Sequence, residues 1–176
     1  MCKALVGTPA PIEQVTEAFA ELCADAAEHD VDVVFELMPF DPNVTNLDDL
    51  LTVVEVADEE NAGLILDTWH IVKLGIPFED LRRIPPRYLK AVELDDGYVE
   101  STQNLLEETL HHRKLCGEGE FDVKGFIEVL QEIGFEGPWG IEVLSAELRK
   151  LPMEEMITRA YNTTITQFQQ ESEPVI

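Results

Sequence analysis

Basic residues are scarce in this sequence: Lys and Arg number 12 against 36 Asp and Glu, a formal charge of −24 at pH 7. The excess is spread along the chain, so the surface repels phosphate backbones and anionic membranes, and nucleic acid is not expected as a partner. Self-repulsion of that size weakens a compact state. Either a surface adapted to high salt or a carboxylate cluster neutralised by cations would relieve it. Cysteine is nearly absent as well. Cys2, Cys23 and Cys116 are far apart, with no Cys-x-x-Cys spacing and no basic-then-apolar leader before them, which fits a reduced cytoplasm. No apolar run approaches the roughly 20 residues that cross a bilayer, so no membrane span is expected. Internal repeats, low-complexity tracts and long linkers are missing too. One domain over residues 1–170 is the expectation, with a flexible polar tail at 171–176.

What is present is alternation. Strand-like runs at 2–7, 31–40, 62–70, 88–94 and 138–144 are separated by helix-periodic segments at 12–29, 47–58, 121–134 and 153–169, with short helical stretches at 78–83 and 105–111. Pro39 and Pro42 close the second run, Asn46 or Thr45 can cap the helix after it, and Gly134 is placed to end the 121–134 helix. Strands alternating with helices argue for an α/β fold, a parallel sheet covered by helices.

Each of the last four strand runs carries acid at or near its C-terminal end: Glu36, Asp67, Glu93 followed by Asp95 and Asp96, and Glu142. Period-two alternation sets Glu36 on the face of Val34, Asp67 with Ile65, Glu93 with Ala91 and Glu142 with Gly140. In a parallel barrel those ends share one face, so a ring of inward carboxylates is geometrically available. Any one of these acids is more often a solvent-facing residue at a strand end. Several gathered together are costly to bury without protons, hydrogen bonds or a cation, and a divalent metal removes that cost most directly. An all-oxygen set favours Mg2+ or Mn2+ over metals that prefer sulfur.

The segments Val34-Phe-Glu-Leu-Met-Pro-Phe40, Gly63-Leu-Ile-Leu-Asp-Thr-Trp-His70, Gly117-Glu-Gly-Glu-Phe-Asp122 and Gly134-Phe-Glu-Gly-Pro-Trp-Gly-Ile-Glu-Val143 stand in one order and spacing. Together they resemble the signatures of the xylose isomerase-like sugar phosphate isomerase/epimerase family, whose fold is a (β/α)8 TIM barrel. The resemblance extends over about residues 1–168. It implies that Glu36, Asp67 and Glu142 are ligands to one divalent cation, and that Glu36 and Glu142 also move protons on opposite sides of a bound sugar. It also implies a substrate contact from His70, three residues after Asp67, and from Arg113 before the Gly-Glu-Gly turn. The bland alternatives are a helix-entry histidine hydrogen-bonded to backbone for His70 and a solvated loop residue for Arg113. The fourth ligand position, histidine in epimerases and glutamine in related dehydratases, falls on Glu93. This departure makes the site all-carboxylate and leaves the epimerase assignment open.

The activity implied is metal-assisted proton transfer next to a carbonyl of a sugar or polyhydroxy carbonyl substrate, giving isomerisation or epimerisation. A 3-dehydroshikimate dehydratase-like lyase on the same barrel is the alternative, and a non-catalytic barrel fragment or scaffold is the alternative from another class. The apurinic endonuclease branch needs several zinc ions and many histidines, and four histidines with a charge of −24 argue against it. A complete barrel usually takes about 250 residues. With the strand bearing Glu142 counted as the eighth, this chain supplies about strands 4 to 8, a partial barrel. Two open sheet edges should favour a homo-oligomer.

Overall fold

The structure is a computed structural model that describes residues 1–4, 7–101 and 104–169. The tail expected at 171–176, and Leu5 and Val6 of the first strand run, lie outside the described residues.

The alternation of patterns becomes five parallel strands, β1 Cys2–Ala4, β2 Val33–Glu36, β3 Ala62–Asp67, β4 Leu89–Leu94 and β5 Trp139–Ile141, in the order β1-β2-β3-β4-β5. Strands that follow one another in sequence and lie side by side in space are the ordering of a (β/α)8 barrel, and five of them make a half-barrel. The crossovers carry α1 Ile12–Ala27, α2 Leu47–Ala57, α3 Thr68–Lys73, α4 Leu105–His111, α5 Val123–Ile133 and, after β5, α6 Met153–Gln167.

Alternation along the strands divides the apolar residues into two sets. Val33, Phe35, Leu64, Leu66, Val92 and Leu94 face the helices and join Phe19, Leu50, Val54, Phe126 and Leu130 in the main core. Val34, Ile65 and Ala91 form a second, separate cluster on the inner face. Glu36 is two residues beyond Val34, Asp67 two beyond Ile65 and Glu93 two beyond Ala91, so the pleat that buries this inner cluster also turns the acids inward.

Local chemistry fixes the helix ends. Asn46 accepts a hydrogen bond from the Asp49 amide at 2.9 Å and Asp122 accepts one from Gly125 at 3.0 Å, caps each worth about 1 kcal/mol. Gly134 ends α5 in the left-handed region at φ 90°, where a side chain would be strained.

Three strand expectations ran too long. The run at 31–40 is a strand only over Val33–Glu36, and the run at 138–144 only over Trp139–Ile141, so Glu142 follows its strand by one residue. The run at 62–70 stops at Asp67 because Asp67 itself caps α3, accepting from the His70 amide at 3.1 Å. Trp69 and His70 are therefore helical, on the first turn after the strand.

Candidate active site

The register of the sheet sets the site. Glu36 pairs with Ile65, Asp67 with Glu93, and Glu93 with Gly140, so the acids step around the C-terminal ends of β2, β3 and β4 toward Glu142. One carboxylate oxygen from each of Glu36, Asp67, Glu93 and Glu142 lies within 4.8 Å of all the others. That is close to the span that oxygen ligands at about 2.0–2.6 Å from a single hard cation allow. The donor set therefore fits a divalent ion, and Glu36, Asp67 and His70 form a second, overlapping set.

Sequence reasoning missed the residue at the middle of this cluster. Lys3, on the edge strand β1, pairs with Val34 and so faces inward. Its Nζ donates to Glu36 at 3.2 Å, to Glu142 at 3.4 Å and, at close range, to Glu93. The signal was legible in principle, since a lone charged residue interrupts an apolar strand at Lys3 as one does at Glu36. Burial opposes the charge on Lys3, but Glu93, Glu36 and Glu142 outweigh it and raise its pKa.

Arg113 is not a solvated loop residue: it is 1% exposed. Its Nη1 donates to Asp67 Oδ2 at 2.6 Å, to Asp95 Oδ2, and to the Glu142 carbonyl at 3.2 Å. Thr109 Oγ1 accepts from its Nε and Nη2, and the guanidinium lies 5.2 Å from the Trp69 ring centroid. So placed, it fixes Asp67 through Nη1 and leaves the carboxylate's other oxygen to cap α3.

The protonation pattern follows from this packing. Burial pushes Glu36 up to about 7, with Asp67 and Glu142 adding to the rise and Lys3 opposing it. Burial pushes His70 down to about 4, despite the Asp67 carboxylate beside it. Burial likewise works against the charge on Asp67, yet His70 and Arg113 pull its pKa below the usual value. An imidazole that is neutral above pH 5 cannot supply that pull near neutrality, so the guanidinium carries it. Burial, with Asp67 alongside, raises Asp95 well above the ordinary carboxylate range. His70 Nδ1 is buried with no hydrogen-bond partner among the described residues, and its Nε2 stands 3.8 Å from Glu36 Oε1.

The Gly-Glu-Gly turn is tied to the segment that follows β4. Buried Asp96 accepts from the amides of Gly117 at 2.9 Å, Gly119 at 3.0 Å and Phe121 at 2.9 Å, and from its neighbour Gly97 at 2.7 Å. A Cβ at Gly119 would collide with Asp96 Oδ1 and the Gly97 carbonyl, so only glycine admits the carboxylate. The imidazoles of His111 and His112 are about 40% exposed and face Glu107.

A sequence profile of the xylose isomerase-like TIM barrel family matches residues 6–162. The chain belongs to this family. Among curated relatives of this xylose isomerase-like half-barrel, 3-dehydroshikimate dehydratase of Pseudomonas aeruginosa is 27% identical over 132 residues, 75% of this chain and 21% of that protein. Inosose isomerase of Bacillus subtilis is 28% identical over 122 residues, 69% of this chain and 43% of that protein. The chain thus spans less than half the length of either. A crystal structure of the IolI protein with a bound zinc atom superposes with a TM-score of 0.81 at 24% identity, covering 93% of this chain and 60% of that one. That likeness establishes the fold. Among the described residues no helix is long and apolar enough to cross a membrane.

Proposed function

We propose that this half-barrel carries the metal and acid–base centre of an enzyme that moves a proton next to the carbonyl of a sugar or polyhydroxy ketone. One observation carries the reading: Glu36, Asp67, Glu93 and Glu142 bring four carboxylate oxygens within 4.8 Å at the end of a parallel sheet where TIM-barrel chemistry gathers. A bound divalent cation would be held by these four residues and would polarise substrate oxygens. The all-oxygen set favours Mn2+ or Mg2+, although the IolI protein holds zinc.

Glu36 and Glu142 are the proposed proton carriers. Glu36 is buried and stands 3.8 Å from His70, and in the metal-free protein burial raises its carboxyl to about 7, so it holds a proton more readily than an exposed glutamate. Glu142 follows β5, three strands from β2, so the two can reach a substrate from different sides. Asp67 is locked by Arg113 and by its cap on α3, which suits a ligand better than a base. His70 is neutral and next to Glu36, placed to hydrogen-bond a substrate hydroxyl. Arg113 is proposed to act on substrate chiefly by holding Asp67 and the Glu142 backbone.

An inosose-type ketose is the preferred substrate class, supported by the inosose isomerase relative. A dehydratase acting on 3-dehydroshikimate is the second reading, supported by the 27% identical relative of that name. Both routes remove a proton beside a carbonyl, and they part when the intermediate is reprotonated or expels water. Incubation with ketoses, inososes and 3-dehydroshikimate in D2O with Mn2+ separates them. Deuterium at the carbon beside the ketose carbonyl, abolished by Glu36→Gln or Glu142→Gln, is the expected result. Turnover of 3-dehydroshikimate alone would establish the lyase, and parental rates in both glutamine variants would exclude this pair as the proton carriers.

A further inference from the structure

The Lys3 ammonium sits among three of the four carboxylates that would hold a metal. An ammonium ion inside a set of anionic oxygens occupies the same electrostatic well as a metal ion, and the two repel each other. Its placement is built by the fold. The pairing of β1 with β2 sets Lys3 beside inward-facing Val34, and its side chain is only 32% exposed although it lies on an edge strand. The other cation of the site, Arg113, is buried against Asp67 and Asp95 and reaches the cluster at Glu142, 3.4 Å from its Oε2, whereas Lys3 contacts Glu36, Glu93 and Glu142 together.

We infer that Lys3 is the resident counter-cation of this centre, gathering Glu36, Glu93 and Glu142 and competing with a divalent cation for them. The inference rests on the metal-binding reading above and adds to it a residue that sets metal affinity. Four carboxylates converging without any cation would spread apart or take up protons. Lys3 lets them stay gathered, and a metal ion arriving at the cluster must push the ammonium aside. The consequence is a centre tuned toward weak, exchangeable metal binding, which an all-carboxylate set would otherwise bind tightly.

Calorimetric titration of the chain with Mn2+ tests this, comparing the parent with Lys3→Met and Lys90→Met. Each substitution keeps the side-chain bulk and removes one positive charge, but Lys90 lies at the opposite end of β4, near Asp32 and the Glu60 carbonyl. Lys3→Met should tighten Mn2+ binding by at least about tenfold, while Lys90→Met leaves it within about twofold of the parent. Equal or weaker binding by Lys3→Met, beside a parent that binds, overturns the inference and leaves the metal reading standing. No binding by any of the three proteins overturns both. A second measurement needs no variant. The rate at which Lys3 is acylated, read by peptide mass spectrometry, should rise when the parent chain is saturated with Mn2+, because the side chain displaced from the acids is more open to the reagent. An unchanged or slower rate at saturation contradicts the inference, and this measurement decides alone if circular dichroism shows Lys3→Met to be unfolded.

Discussion

Glu36 and His70 face each other across 3.8 Å and are buried in opposite senses. Burial raises the carboxyl to about 7 and lowers the imidazole to about 4. With its folded pKa raised, Glu36 contributes stability below its unfolded value near 4.5 and loses it as pH climbs toward 7. His70, with its folded pKa depressed, contributes fully above 6.5 and loses stability as pH falls toward 4. Through most of that window the two slopes cancel. In metal-free protein, Glu36→Gln removes one slope and leaves the other, so the variant should gain stability over the parent between about pH 4.5 and 7, by up to roughly 3 kcal/mol. Urea unfolding at half-unit pH steps measures it, and a constant difference across that range would show that Glu36 is not held at a raised pKa. The sequence exposed these acids because each interrupts an apolar run. Their environment was not legible there, since the burial of His70 and the placing of Arg113 against Asp67 depend on contacts 43 and 46 residues apart.

At the scale of elements, the sheet and its helices were legible because period-two and helical periodicities do not overlap over long segments. Strand ends were less so. Thr68, Trp69 and His70 continue an apolar pattern that suits a strand, and only the Asp67 cap turns them into helix, a choice made by one hydrogen bond. The loop between β4 and α5 shows the same dependence on a single side chain. Asp96 ties the amides of Gly117, Gly119 and Phe121 in addition to that of Gly97. Asp96→Asn would turn a donor toward those amides and leave at least one of them unsatisfied, costing about 2 kcal/mol or more. For a domain of this size that is a fall in Tm of roughly 4–8 °C. Differential scanning fluorimetry should show it, and Gly119→Ala should do similar damage through the collision with the Asp96 carboxylate. A Tm within 1 °C of the parent in both variants would mean that the turn does not depend on this carboxylate.

On the whole-molecule scale two features act against a solitary chain. Among the described residues strands β1 and β5 each have a neighbour on one side only, and α6 exposes Met153, Ile157, Tyr161 and Ile165, spaced four apart along one face. Self-association is the expected outcome. Light scattering at micromolar concentration should give a mass above that of one chain, reduced by Ile157→Lys with Ile165→Lys, and a monodisperse single-chain mass for the parent would contradict it. The charge of −24 acts in the same experiment, because repulsion between copies weakens as salt is added. Unfolding midpoints should therefore rise with KCl, whereas a midpoint independent of salt would remove the case for a salt-adapted surface.

The partial barrel earns its enzymatic reading only if its acids bind metal, and one titration addresses that most directly. Mn2+ added to the parent chain and to Asp67→Asn should give saturable binding of about one ion per parent chain. Binding to the variant should be weaker by tenfold or more, because the substitution keeps the shape of a fully buried proposed ligand and removes its charge. No heat of binding with the parent, or equal affinity in the two proteins, would contradict the account.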